Sequence, residues 1–305
     1  MILQRVLFLT NDDGYDSEGI TSLISELHAQ GIPLLVIAPS ENRSASSLSL
    51  TLHRDLILER QRFLEEELAR SDAPLVIHSL DGSPADCSLM LDYGLRDGLF
   101  AEMMPLLAHS GVNLGANVSQ DVLHSGTVGA ARQASMTGIP TLASSLCSFK
   151  GVGLSSAISL VTSLLVQLWG RVQEEDVSAV KASFREGRIY LNLNVPSEWN
   201  GDLATCSLGI REYRNALQIQ SNGSGEDAVT CRLSGPVIHS EAVDGTDVGA
   251  IEAGVASLSV LPTWPYSHPL FPTTQVLDAA SIADSEGWPA WIGFRFDPAD
   301  DGRSR

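Results

Sequence analysis

The chain has 305 residues, 44% of them hydrophobic and 18% charged, which is enough to bury a core and excludes a disordered or fibrous protein. Lys and Arg number 19 against 37 Asp and Glu, a formal charge of −18. That balance argues against a nucleic-acid polymer as partner, because phosphate backbones demand a basic footprint; it leaves room for a small phosphorylated ligand whose charge a divalent cation offsets.

The apolar start runs into Asn11-Asp12-Asp13-Gly14 with no small-residue cleavage site, so Val6–Thr10 reads as a buried strand rather than a secretion signal. Ile20–His28 reads as a helix, and Leu34–Ala38 and Leu75–Leu80 as the next strands. Ser83-Pro84-Ala85-Asp86 is a helix start, with Ser as cap and Pro at the first helical position. Pro105–His109 is a strand ahead of a glycine-punctuated loop. Ser125-Gly126-Thr127 then opens a helix through Ala130–Met136 that stops at Thr137-Gly138. Thr141–Ser144 is a further strand. The uncharged stretch Gly151–Gly170 has the length of a membrane span. However, Ser155, Ser156, Ser159, Thr162, Ser163 and Gln167 gather on one helical face, and Leu154, Ile158, Val161, Leu165 and Leu168 on the other. That is an amphipathic helix packed on a core. Tyr190–Val195 is the last strand of the series. Beyond Pro196 the pattern loosens: Ser221–Gly225 is glycine- and serine-rich, Ala256–Leu261 suggests hairpins and an edge extension, and the end from Asp297 reads as a frayed tail. Cys87, Cys147, Cys206 and Cys231 form no CxxC pair, so neither a disulfide scaffold nor a zinc knuckle is present. A soluble, cytoplasmic protein with no membrane partner is expected.

Apolar strands separated by helices predict an α/β fold, a mostly parallel sheet with helices on both faces. Ligands bind such sheets outside the carboxyl ends of the strands, where the polar loops of this chain lie. Asp12-Asp13 stands at one such end. Adjacent carboxylates repel unless a cation sits between them, and oxygen donors select Mg²⁺, Mn²⁺ or Ca²⁺ over zinc; Asn-Asp-Asp-Gly is equally turn chemistry. Asn113 and Asn117 offer carboxamides to a phosphate or a metal, or serve as turn residues. Ser125-Gly126-Thr127 makes an anion site at a helix N-terminus, or a simple cap. Ser44, in Arg43-Ser44, carries no signal when read alone. The seven histidines have no ligand spacing, and no Gly-x-Ser-x-Gly elbow supports a Ser-His-Asp triad.

Together these segments resemble the SurE family of survival-protein nucleotidases. The motifs are Leu9-Thr10-Asn11-Asp12-Asp13-Gly14-Tyr15, then Ala38-Pro39-Ser40-Glu41-Asn42-Arg43-Ser44-Ala45-Ser46, and then Gly82-Ser83-Pro84-Ala85-Asp86-Cys87. After them come Ser110-Gly111-Val112-Asn113-Leu114-Gly115-Ala116-Asn117 running on to Asp121–Ala130, and Leu191–Pro196. The likeness is good over about residues 1–200 and fades beyond, where Thr246-Asp247 to Pro262 resembles a late strand of the family. It implies a Rossmann-like three-layer α/β/α core over residues 1–200, with a C-terminal β-hairpin extension over 201–305 that mediates oligomerisation. It also implies a metal-dependent phosphatase of nucleoside 5′- and 3′-monophosphates, with one Mg²⁺ or Mn²⁺ per subunit in a homodimer or homotetramer. The resemblance gives Asp12, Asp13, Ser44 and Asn113 as metal ligands; Asp12, Asp13 and Asn113 are expected to be catalytic, with Asp12 as the carboxylate that orients or deprotonates the attacking water. Asn117, Ser125, Gly126 and Thr127 are expected to hold phosphate. The alternatives are a metal-linked nucleotide sensor with little turnover, or a phosphatase of another small metabolite. The chain departs from the family pattern at Ser83, Leu106, Ala108-His109 and Ser119-Gln120, and after Pro262.

Overall fold

Short apolar runs without a charge become the centre of one sheet, because strands covered on both faces by helices must be apolar on both. The computed structural model describes residues 3–174, 178–214, 217–220, 229–233, 237–241, 243–293 and 296; Ser221–Gly225 and the tail from Asp297 lie outside them. In chain order the elements are β1 (Gln4–Thr10), α1 (Glu18–Ala29), β2 (Leu34–Pro39), β3 (Leu58–Arg60), α2 (Arg62–Leu68), β4 (Leu75–Leu80), α3 (Pro84–Arg96) and β5 (Met103–Leu114). They continue with α4 (Asp121–His124), α5 (Gly126–Met136), β6 (Thr141–Cys147), α6 (Leu154–Arg171), α7 (Ala179–Arg185), β7 (Ile189–Pro196) and β8 (Leu203–Thr205). The last are β9 (Ile210–Arg214), β10 (Leu217–Gln220), β11 (Thr230–Leu233), β12 (Val237–Glu241), α8 (Asp247–Glu252), β13 (Ala256–Pro262) and α9 (Thr274–Ala280).

The main sheet runs β3-β4-β2-β1-β5-β6-β7-β13-β8. It is parallel except where β3 meets β4 and β13 meets β7. Alternation along β1 divides the core into layers. Leu7 and Leu9 pack on the side of α1 and α6, in one cluster with Ile20, Leu23, Ile24, Leu160 and Leu164. Val6 and Phe8 pack on the other side with Cys87 and Leu91 of α3 and Ala134 of α5. This is a three-layer α/β/α arrangement. In α6 the predicted apolar face is buried; of its predicted polar face Ser155, Ser156 and Ser159 are exposed, whereas Thr162 is buried. Among the described residues no helix is long and apolar enough to cross a membrane.

Two expectations are corrected. The glycine-punctuated loop expected after Pro105–His109 does not begin at Ser110: β5 continues to Leu114, and its register against β6 shifts between Ser110 and Asn113, so the glycine-containing stretch is an irregular strand end. Nor is Ala256–Leu261 an edge. β13 lies inside the sheet, antiparallel to β7 and parallel to β8, because its inner residues Ala256 and Leu258 are fully buried. The extension shows as two ribbons nested in sequence, β9 with β12 and β10 with β11.

Chain order reverses at β1. The next strand in sequence, β2, lies on one side of it, and β5 on the other. A crevice opens at such a switch point, outside the carboxyl end of the strand, and loops from both sides reach it.

Candidate active site

Asn11, Asp12 and Asp13 follow β1 directly into that crevice. Asn11 is fully buried and staples the turn: its amide nitrogen donates to the Gly14 carbonyl and the Ser17 hydroxyl, 2.8 Å each. With Asn11 turned inward, the next two side chains are free for other work. Asp12 is 3% exposed, and its Oδ1 accepts the Thr127 hydroxyl at the start of α5. Asp13 is half-buried; its carboxylate accepts from the Asn42 amide at 3.1 Å and from the Leu114 N–H at 3.3 Å.

The loop after β2 is tied to the same point. Arg43 N–H donates to the Asp12 carbonyl at 2.7 Å, and Ser44 N–H donates to Asn42 Oδ1 at 3.0 Å. Ser44 is therefore carried to Asp13 by the Asn42 side chain. Farther along, Ser47 N–H donates to the His124 carbonyl at 3.0 Å and its hydroxyl to the Leu123 carbonyl at 2.6 Å. Two glycines make the contact with α5 possible. A Cβ on Gly129 would lie 2.2 Å from the Ser47 carbonyl oxygen, and one on Gly126 would lie 2.5 Å from Ser46 Oγ and 2.8 Å from Asp12 Oδ2. Contacts that close leave room only for hydrogen, so the glycine spacing of this helix serves packing.

Asn113 donates through its amide nitrogen to the Gly115 carbonyl at 2.7 Å, which leaves its carboxamide oxygen as the atom suited to a cation. Leu114, the next residue, is the one bonded to Asp13. Three predicted ligands thus converge through hydrogen bonds with Asp13 or its neighbours, on segments about 30 and 100 residues apart.

The residues expected to hold phosphate are placed more unevenly. The Ser125 hydroxyl caps α5, accepting Val128 N–H at 3.0 Å. The Thr127 hydroxyl is given to Asp12. Asn117 is buried and held on every side: its N–H donates to Asn194 Oδ1 at 2.7 Å, its amide to Ser145 Oγ at 2.8 Å, and its carbonyl accepts from Asn192 and Asn194 at 2.9 and 3.1 Å. The sequence reading missed this support by Asn192 and Asn194. Their alternation in a buried strand was the available signal, since a buried carboxamide needs partners. It also missed Asp247, fully buried at the start of α8, whose carboxylate accepts Ser119 N–H at 2.8 Å and Gly209 N–H at 2.6 Å. The Ser83 start behaves as read: Ser83 and Asp86 form a reciprocal capping box, and Asp86 also accepts Thr51 N–H at 3.0 Å.

The electrostatics are lopsided. Burial raises the Asp12 carboxyl to about 6; the charge of Asp13 adds to the rise, and the Thr127 hydrogen bond opposes it. Burial also raises Asp13. Among the described residues no ion pair involves either carboxylate, and no group of three His, Cys, Asp or Glu side chains forms a metal cluster. A cation here would rest on two carboxylates and neutral oxygen donors. The positive end of α5 faces the same pocket, where it suits an anion.

The family model for survival protein SurE matches residues 7–215. The chain is 33% identical over 257 residues to the 5′-nucleotidase SurE of Laribacter hongkongensis, covering 83% of this chain and 91% of that protein. It is 32% identical over 263 residues to the 5′-nucleotidase SurE of Sorangium cellulosum, covering 85% and 90%. The crystal structure of the SurE protein from Aquifex aeolicus superposes with a TM-score of 0.61 at 26% identity, covering 90% of this chain and 99% of the other.

Proposed function

The chain belongs to the SurE family, and from that premise we propose that it is a metal-dependent 5′-nucleotidase whose reaction centre is the pocket of Asp12, Asp13, Ser44, Asn113 and the first turn of α5. The observation that carries the reading is the buried Asp12 beside Asp13, with no cationic side chain among the described residues to offset them. Two carboxylates, a hydroxyl and a carboxamide are hard oxygen donors, so the residues fit Mg²⁺ or Mn²⁺, one per subunit, better than zinc. When bound, such a cation neutralises phosphoryl oxygens and lowers the pKa of water, a contribution of several kcal/mol.

The chain's own residues do the rest. Thr127 fixes Asp12 Oδ1, which leaves Oδ2 to orient the attacking water or accept its proton. At the start of α5 the N–H of Gly126 and the Ser125 hydroxyl receive the phosphoryl oxygens where negative charge accumulates, while Thr127 and Asn117, whose donors go to Asp12 and Ser145, act as supports. Water oxygen bonds to phosphorus as one of its protons passes to Asp12, the bond to the ribose oxygen breaks, and that oxygen takes a proton from Asp12 or solvent to leave as the nucleoside hydroxyl. In this reading both 5′- and 3′-monophosphates are substrates, residues 1–200 form the phosphatase core with β8 and β13 of the extension completing its sheet, and the enzyme works in the cytoplasm. Residues 201–305 supply contacts of a homodimer or homotetramer; the exposed Ile210, Tyr213, Leu217 and Ile219 on β9 and β10 support this assignment.

The test is phosphate release from AMP, GMP, ribose 5-phosphate and polyphosphate, in EDTA and after adding back Mn²⁺ or Mg²⁺. Release from the nucleotides is expected to stop in EDTA and return with the cation. No release from any nucleotide with the cation present refutes the reading.

A further inference from the structure

An aromatic ring is presented to water at the rim of the pocket. Phe149 stands two residues past the end of β6 and is 85% exposed. β6 lies beside β5, and their ends are tied together: Gly115 N–H and Ser148 N–H both donate to the Leu146 carbonyl, at 2.8 and 2.7 Å. A Cβ on Gly115 would lie 2.6 Å from Phe149 Cε1 and 3.2 Å from its Cδ1 and Cζ, so one edge of the ring rests on the Gly115 backbone and the rest of it is open. Gly115 is also the residue whose carbonyl accepts the Asn113 amide, and Leu114 before it donates to Asp13. The ring therefore sits against the same short segment that presents Asn113 and holds Asp13.

Single exposed hydrophobic residues are ordinary, so position has to decide the matter. Phe63 and Tyr266 are comparably exposed. Phe63, however, is on α2, which packs on β4, two strands from β1. Tyr266 follows β13, whose last residue pairs with the first of β7 at the amino edge of the parallel strands. Phe149 stands at the carboxyl edge, where ligands of such sheets bind. The substrate supplies its occupant. With the phosphoryl group between Asp12, Asp13 and the first turn of α5, the base of a nucleoside monophosphate lies one ribose away, outside the polar pocket. Carboxylates, carboxamides and hydroxyls suit the cation and the phosphate; a flat apolar ring suits a base. Stacking of this kind tolerates any base, because every base has a π-face.

We propose that Phe149 is the base-stacking residue of the substrate site, its ring lying against the nucleobase of a nucleoside monophosphate whose phosphoryl group occupies the Asp12–Asp13 pocket. It favours nucleotides over phosphorylated sugars without choosing among bases. The proposal rests on the nucleotidase reading of this pocket.

The experiment compares the wild-type protein with Phe149→Ala and Phe149→Trp, all loaded with Mn²⁺. It reads kcat and KM for AMP, CMP and ribose 5-phosphate, inhibition by inorganic phosphate, and the thermal midpoint; where ribose 5-phosphate turns over too slowly, its inhibition constant against AMP takes the place of its KM. In Phe149→Ala the KM for both nucleotides is expected to rise about 5- to 20-fold with kcat little changed. The values for ribose 5-phosphate and inorganic phosphate, and the thermal midpoint, are expected to stay at wild type, because neither ligand has a base and the side chain is exposed. Phe149→Trp, which keeps a stacking face, should hold the wild-type KM for AMP. An unchanged KM for AMP in Phe149→Ala overturns the proposal. So does an equal loss for AMP and ribose 5-phosphate, which would make Phe149 a support for the loop. Wild-type protein that prefers AMP no more than ribose 5-phosphate also overturns it, and leaves the phosphatase chemistry standing. Should the wild type bind AMP without hydrolysing it, the nucleotidase reading fails separately, and calorimetry of AMP and ribose 5-phosphate binding to the same three proteins decides Phe149. Should it bind no AMP, both fall.

Discussion

Replacing Asp12 by asparagine should make the metal-free protein more stable while removing its activity. The carboxyl is 3% exposed and raised from 3.8 to about 6, chiefly by burial. A folded-state value above the unfolded one means that the native protein holds the proton more tightly. The stability linked to this group is therefore full below about pH 3.8 and is lost as pH rises through about 6. About two pH units at 1.36 kcal/mol each amount to about 3 kcal/mol lost at pH 7.5. Asparagine carries no charge there and can still accept the Thr127 hydroxyl. With an unfolding entropy of about 2.1 cal/mol/K per residue, 3 kcal/mol in a chain of this length moves the thermal midpoint by about 5 °C. Calorimetry of both proteins in EDTA, from pH 4 to 7.5, tests this. Asp12→Asn should exceed wild type by about 5 °C at the upper end, the gap should close near pH 4, and added Mn²⁺ should raise only the wild type appreciably. A variant less stable than wild type at pH 7.5 in EDTA, or a gap independent of pH, would refute the reasoning that Asp12 is a buried charge awaiting a cation.

Other consequences concern the scaffold. His109 is fully buried and burial lowers its pKa to about 3, so below about pH 6.5 the unfolded chain takes a proton that the folded one refuses. Stability then falls toward acid by up to about 1.4 kcal/mol per pH unit, and His109→Gln should flatten that limb in urea titrations between pH 4 and 6.5. Gly129→Ala places a Cβ 2.2 Å from the Ser47 carbonyl oxygen; a backbone clash of this kind should cost about 1–3 kcal/mol and lower turnover by displacing the loop, and an unchanged thermal midpoint would count against it. Arg211 pairs with Asp121 at 2.9 Å, both side chains largely buried, and Tyr213 donates to the same carboxylate oxygen at 2.5 Å. Arg211→Ala leaves that charge with the phenol alone and should cost about 3 kcal/mol in urea unfolding; a loss below about 1 kcal/mol would show the pair to be solvated.

Legibility in the sequence followed the range of the interaction. Val6–Thr10, Leu75–Leu80 and the helix from Gly126 were readable because local apolar runs and caps determine them. The Ser83 capping box was readable for the same reason: both of its bonds span three residues. The interior place of β13 was not, because Ala256–Leu261 has the same alternation whether it lies at an edge or between β7 and β8. At the site, Asp12-Asp13 announced itself through charge, whereas Ser44 entered only by resemblance, since its link to Asp13 through Asn42 joins residues 29 apart.

Asn117 and Thr127 show where residue type stops determining role. Both types suit a phosphate, yet the fold gives the Thr127 hydroxyl to Asp12 and the Asn117 amide to Ser145. The same physics accounts for both assignments. A donor beside a buried carboxylate relieves more free energy there than in a solvated loop, and a buried carboxamide must find partners in the adjoining strands before it can serve a ligand.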